Sequence, residues 1–245
     1  MAEDEVTSMT ETERKYDVRE DAPAPELSGF SVRRPERPDL LQATYYDTED
    51  GALAANRLTL RRRSGGHDEG WHLKRPAGDG RTEHHAPLAD EVPPALLELI
   101  REEVGDRRLI PAAELRTERS PIIVLDEEGR ELAEVADDRV SATDLRSGVE
   151  RTWREWEVEL LEGAPSAVAE RQLLLDRLEA TLLEEGAEPA AAMSKFARAT
   201  GRTALGPEGE EDDVLAPIDP ASGASLQHEG EPRSSAQAAA TDAPD

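Results

Sequence analysis

Glu11-Thr12-Glu13-Arg14-Lys15 sets two carboxylates and an ammonium at alternate positions. Side chains in an extended strand repeat with period 2, so Glu11, Glu13 and Lys15 would share one face. Hard divalent cations take oxygen ligands, and a Lys beside them can hold an anion that the metal also holds. Such a face could assemble a metal-phosphate complex. Two plainer readings stand beside it: Thr10 with Glu13 matches a helix-capping box, and a row of charges can be a solvated face. A capping box should introduce an apolar periodic run, however, and Arg14 to Val18 carries no helical stripe.

The same alternation recurs downstream. Arg61 and Arg63 share a face, as do Glu155, Glu157 and Glu159, whose opposite face of Arg154, Trp156, Val158 and Leu160 is the packing side. Three neighbouring carboxylates repel one another unless a cation or a basic strand compensates them. On an open sheet this is a solubilising surface. In a closed barrel they would point inward, where opposite charges at about 4 Å are worth on the order of 4 kcal/mol at an effective dielectric near 20. The bases able to match them are Lys15, Arg61, Arg63, Lys74, Arg81, Arg116, Arg119 and Lys195, spread over successive segments.

Strands are expected at 11–18, 41–47, 57–63, 71–75, 81–88, 115–125, 131–140 and 151–161, from β-favouring residues bounded by turn residues such as Gly65-Gly66 and Asp126 to Gly129. A short amphipathic helix is expected at 93–104 after a Pro start, the longest helix at 166–185, and a third at 189–200. The longest one presents Val168, Leu173, Leu174, Leu178, Leu182 and Leu183 at spacings mainly of three and four. Residues 21–38, with four prolines and Gly29, read as a loop. The pair His84-His85 lacks metal spacing and reads as structural.

The 245 residues suit one ordinary domain with tails. Hydrophobic content of 37% with eight aromatic residues is thin for that length, which points to an unstructured portion. Residues 1–9 read as a polar lead-in. After Gly201 come ten acidic residues against two Arg and no aromatic residue, a composition that cannot offset the entropy of ordering, so 202–245 read as a disordered acidic tail. The formal charge of -26 argues against general affinity for nucleic acid or an anionic membrane. No cysteine is present, which removes disulfides, thiol nucleophiles and Cys-ligated zinc. Without a leader pattern or a long apolar run, a soluble cytoplasmic protein is expected.

The chain resembles the CYTH superfamily, the triphosphate tunnel metalloenzymes that include a class of adenylate cyclase and thiamine triphosphatase. The residues that carry the resemblance are Glu11 to Lys15, matching an ExExK signature, then Tyr46-Asp47-Thr48, Leu60 to Arg63, Trp71 to Pro76, Arg81-Thr82-Glu83, Arg116 to Arg119, Asp137-Asp138, Glu155 to Leu160 and Ser194-Lys195-Phe196. The resemblance implies an α+β, mainly β fold for residues 10–201: an eight-stranded antiparallel barrel forming a tunnel, with flanking helices. It implies phosphate contacts from Lys15, Arg61, Arg63, Lys74, Arg119 and Lys195, joined by Arg81 and Arg116. Glu11, Glu13, Glu157 and Glu159 would be ligands to Mg or Mn, with Glu155 and Asp138 in support. Glu11, Glu13, Lys15, Glu157 and Glu159 would form the catalytic set. The expected activity is metal-dependent hydrolysis of inorganic triphosphate or a related small triphosphate. The alternatives are an adenylate cyclase acting on ATP and a non-catalytic polyphosphate- or nucleotide-binding module. Many relatives carry a CHAD domain after this one, where the present sequence gives way to its acidic segment.

Overall fold

A computed structural model describes residues 6–77, 80–191 and 194–202. Its wall is built from β1 (Thr7–Glu11), β2 (Glu13–Val18), β4 (Asp39–Thr48), β5 (Thr59–Ser64), β6 (Gly70–Ala77), β7 (Gly80–Ala86), β8 (Leu109–Leu125), β9 (Glu131–Asp144) and β10 (Glu150–Leu160). All pair antiparallel, in the order β1-β7-β6-β5-β4-β8-β9-β10-β2. The short strands β3 (Ser31–Arg33) and β11 (Glu188–Pro189) add to β8 and β2. The ladder itself is open, but β1 and β2 at its two flanks are consecutive in the chain and separated only by Thr12. One bent strand thus serves both flanks, and the eight-stranded barrel expected from the resemblance is present when β1 and β2 count as one. Thr12 stays in register by accepting a backbone hydrogen bond from Leu160 N at 3.1 Å.

Strand alternation splits each segment between two environments. On β10, Trp156, Val158 and Leu160 face outward into a core completed by Tyr16, Ile122, Val124 and Val135. This core is covered by α4 (Val168–Glu184), which buries Leu174, Leu175, Leu178 and Leu182. Val168, Leu173 and Leu183, assigned to its apolar stripe from sequence, are 82%, 59% and 40% exposed. The face set by positions 174, 178 and 182 takes Leu175 instead, and turns these three to solvent. A second outer core, around Leu60, Trp71 and Leu73, lies under α1 (Ala52–Ala55), α2 (Pro94–Leu99) and α3 (Arg101–Val104). The single helix expected at 93–104 is therefore interrupted at Ile100, whose ψ of 12° leaves the helical range.

Inside the barrel, Leu115, Val140, Ala142 and Trp153 form a third apolar cluster with Phe196 of α5 (Lys195–Ala199). The Phe196 ring stacks on Tyr45 with centroids 5.3 Å apart. Ser194 caps this helix, its Oγ accepting from Ala197 N at 3.1 Å. The helix expected over 189–200 is thus shorter than read, because Glu188–Pro189 is drawn into the sheet edge. Strand β1 likewise begins at Thr7, inside the stretch read as a lead-in. Residues 1–5 and nearly all of the acidic tail, 203–245, lie outside the described residues. Among the described residues, no helix is long and apolar enough to cross a membrane.

Asp47, in the stretch Tyr46-Asp47-Thr48, has a structural task. Its fully buried carboxylate accepts from Leu53 N at 2.8 Å and Ala54 N at 3.2 Å, tying the end of β4 to α1. Replacing it with Ala strands these buried donors, so Asp47→Ala should cost about 2–3 kcal/mol in urea unfolding. A loss below about 0.5 kcal/mol would show that water satisfies them.

Candidate active site

The inward-facing residues of the wall line a cavity of about 240 Å³. Lys15, Arg61, Arg63, Lys74, Arg81, Arg119 and Lys195 all reach it, as do Glu11, Glu13, Glu157 and Glu159. Seven basic groups therefore meet in one cavity of a strongly acidic chain. Arg116 does not join them: it is exposed and lines an outer groove with Gln42 and Ser141. The cause is strand parity, since Arg116 stands three residues from the inward Arg119 and must point the other way.

The acids and bases are interleaved. Lys15 Nζ lies 2.9 Å from Glu13 Oε2 and also pairs with Glu157. Lys74 Nζ is 2.5 Å from Glu11 and 3.8 Å from Glu13. The Arg119 guanidinium grips Asp138 through two bonds of 2.8 and 2.7 Å and reaches Glu157 at 2.7 Å. Burial works against the charge on Lys15, but Glu13, Glu157 and Glu155 outweigh it and keep the ammonium fully protonated. Burial also pushes Glu13 up, yet Lys15 and Lys74 hold it at about 2.

Asp138, Glu155 and Glu157 converge closely enough to suggest a cation site, with ligand atoms all within 4.8 Å of one another. Lys195 Nζ already lies among them, 2.8, 2.6 and 2.7 Å from the three carboxylates. An ammonium thus takes the place a metal would need. These acids form an anionic floor that holds Lys195, Arg119 and Lys15 in position.

The other acidic group is differently placed. Glu13, Glu159 and Glu134 are direct cross-strand partners over β2, β10 and β9, with Glu11 next along the bent strand. Like charges directly opposite each other are unfavourable. Glu134 has Arg119 at 3.4 Å, while Glu159 has no ion-pair partner among the described residues. Burial and then the Glu11 carboxylate push Glu159 up to about 7. Glu11 Oε2 is buried without a hydrogen-bond partner. Lys74 and Lys15 reach Glu11 and Glu13, but Glu159 and Glu11 Oε2 remain without a positive partner among the described residues, and carboxylate oxygens in that condition can take a hard divalent cation.

The basic groups of the cavity are short of negative charge, although Arg81 on β7 stands across from Glu11 on the neighbouring β1. Arg61, Arg63 and Arg81 each leave a buried Nε without a partner. Arg61 has only Tyr45 Oη at 3.3 Å and Glu83 at 3.8 Å. His72 lies 2.9 Å from Glu83, and burial drops its pKa to about 3. Glu83, Glu134, His72 and Asp68 line the cavity and were not named as site residues from sequence, although Glu83 and His72 fall within stretches that carry the resemblance.

This is a tunnel-type β-barrel with a charged lumen. The CYTH domain family matches residues 9–188, and the chain belongs to that family. Two Mycobacterium tuberculosis relatives, the uncharacterized proteins MT2285 (strain CDC 1551 / Oshkosh) and Rv2226 (strain ATCC 25618 / H37Rv), are each 42% identical over 213 residues. The match covers 80% of this chain but only 41% of either relative. A crystal structure from Bacillus halodurans, whose name assigns it provisionally to the adenylate cyclases, superposes with a TM-score of 0.54 at 17% identity. It covers 78% of this chain and 97% of that one, a likeness of fold.

Proposed function

We propose that the protein is a divalent-metal-dependent hydrolase of inorganic triphosphate or a related small triphosphate. One observation carries the reading: the cavity holds unpartnered buried atoms of both kinds, the Nε of Arg61, Arg63 and Arg81 and the Oε2 of Glu11. The first await an anion and the second a cation, as a metal-bound polyphosphate would supply. The cavity, at about 240 Å³, is smaller than the roughly 300–1,000 Å³ clefts of drug-sized ligands. Its one phenol ring, Tyr45, is already stacked on Phe196, which disfavours a stacked adenine and with it the cyclase reading.

Glu11, Glu13 and Glu159 would hold Mg or Mn, which when bound polarises the phosphate oxygens that face it. Lys15, Arg119 and Lys195, fixed by the acidic floor, face the phosphate chain. Arg61, Arg63 and Arg81 complete the ring that neutralises charge developing on the leaving phosphate during in-line attack by water. No covalent intermediate is required.

The direct test is phosphate release from inorganic triphosphate, ATP and thiamine triphosphate with Mg or Mn. Release from inorganic triphosphate should be fastest and should stop with chelator. Cyclic nucleotide formed from ATP would favour the cyclase. Tight binding of triphosphate without turnover would leave a binding module.

A further inference from the structure

Asp68 stands in the turn between β5 and β6, where Gly65 and Gly66 adopt φ of 83° and 78°. A Cβ at Gly65 would meet Leu40 O at 2.2 Å, and one at Gly66 would meet Leu41 Cδ2 at 2.9 Å. The turn therefore packs tightly on β4, and this places Asp68 in the cavity wall. There its carboxylate pairs with the Arg63 guanidinium. Its carbonyl accepts from Arg63 at 3.4 Å and lies 2.9 Å from His72 Nε2.

The two partners differ in character. The Arg63 side chain is 6% exposed, whereas that of Asp68 is 42% exposed. Asp68 is the sole carboxylate paired with Arg63 among the described residues. Burial and the neighbouring charges of Arg61 and Arg119 pull Arg63 down to about 9, with Glu83 and Tyr45 acting against them. A half-exposed carboxylate on a surface turn can yield its place at Arg63 to another anion and return to water.

We infer that Asp68 is a built-in substitute for a phosphate group, occupying Arg63 until a polyphosphate displaces it and so setting how tightly polyanions bind. The inference rests on the function proposed above, since the guanidinium is the same one. A single small anion exchanges one ion pair for another and gains little. A chain of phosphates keeps its contacts with Lys15, Arg119 and Lys195 while it displaces Asp68. The residue would thereby favour triphosphate over orthophosphate.

The test is calorimetric titration of the full chain with inorganic triphosphate, and separately with orthophosphate, in Mg. The wild type is compared with Asp68→Asn and Asp68→Ala, each checked by thermal melting. Both variants should bind triphosphate about tenfold tighter, as expected when a charged competitor for one hydrogen-bonded site is removed. Orthophosphate should gain at least as much. Unchanged or weaker triphosphate binding by folded variants would overturn the inference and leave the proposed function standing. Loss of cooperative melting in both variants would make Asp68 a structural staple and overturn it as well. Absence of triphosphate binding by every protein, wild type included, would bring down the proposed function and the inference with it.

Discussion

Lys195→Met should lower the unfolding free energy at pH 7.5 by about 3–5 kcal/mol, the usual cost of removing one partner from a buried ionic cluster. The ammonium sits among Asp138, Glu155 and Glu157, whose side chains are 0%, 5% and 10% exposed. Without it, Arg119 and Lys15 are left to hold Asp138 and Glu157, and Glu155 keeps, among the described residues, only Trp153 Nε1 at 2.5 Å and Arg198 at 3.9 Å. Burial pushes Asp138 and Glu157 up, but Arg119, Lys15 and Lys195 hold both below the ordinary carboxylate range. Stability from such groups is present above an unfolded pKa of about 4 and is lost as pH falls through the lower folded values. The variant loses part of that contribution, so its deficit should be full near neutrality and shrink below about pH 4. Urea titrations of both proteins at pH 7.5 and at about pH 2.5 would show it. A deficit under 1 kcal/mol at pH 7.5 would mean that water or the remaining bases compensate the acids.

Glu159→Gln should act in two opposite directions. In metal-free buffer at pH 8 it should stabilise the fold by on the order of 1–3 kcal/mol, since each pKa unit is worth about 1.4 kcal/mol. The sign follows from the raised pKa. A carboxyl at about 7 when folded against an ordinary 4.5 favours the folded state only while protonated. Its cost therefore grows as pH rises from 4.5 through 7, and at pH 5 variant and wild type should nearly coincide. Phosphate release, by contrast, should drop by about a hundredfold or more, the scale of losing one charge-stabilising group in an enclosed site. Mg should raise the melting temperature of the wild type more than that of the variant. A variant that is no more stable than wild type, yet still responds fully to Mg, would remove Glu159 from the metal site.

The barrel was legible because alternation is a strong signal when both faces are distinctive. On β10, charged Glu155, Glu157 and Glu159 face apolar Trp156, Val158 and Leu160, and the structure separates the two sets as expected. The same rule excludes Arg116, whose odd spacing from Arg119 forbids a shared face, although it was expected among the phosphate contacts. Strand β8 starts at Leu109 and not at 115, because the chain absorbs Pro111 at an irregularity opposite Tyr45 and Tyr46. Glu83 and Glu134 sit at even spacings from Arg81 and Asp138, so their inward direction was available in principle. Their partners were not, because register between strands distant in sequence decides that Glu134 meets Glu159 and that Glu83 meets Lys74. Lys195 is the extreme case. Nothing in a short helix reveals that three carboxylates from two strands surround its ammonium.

The bent strand that serves both flanks also sets an order of events during synthesis. Strand β2 leaves the ribosome well before its partner β10, since Lys15 pairs with Glu157, 142 residues later in the chain. At about 5–20 residues per second, that partner follows after roughly 7–28 s. For that interval β2 is an unpaired edge, the kind of element that recruits other chains into intermolecular sheet, while β1 can pair sooner with β7. Glutamate, arginine and lysine along β2 are poor material for such pairing. The charges placed to face the lumen would thus also keep the nascent chain from aggregating before the barrel can close.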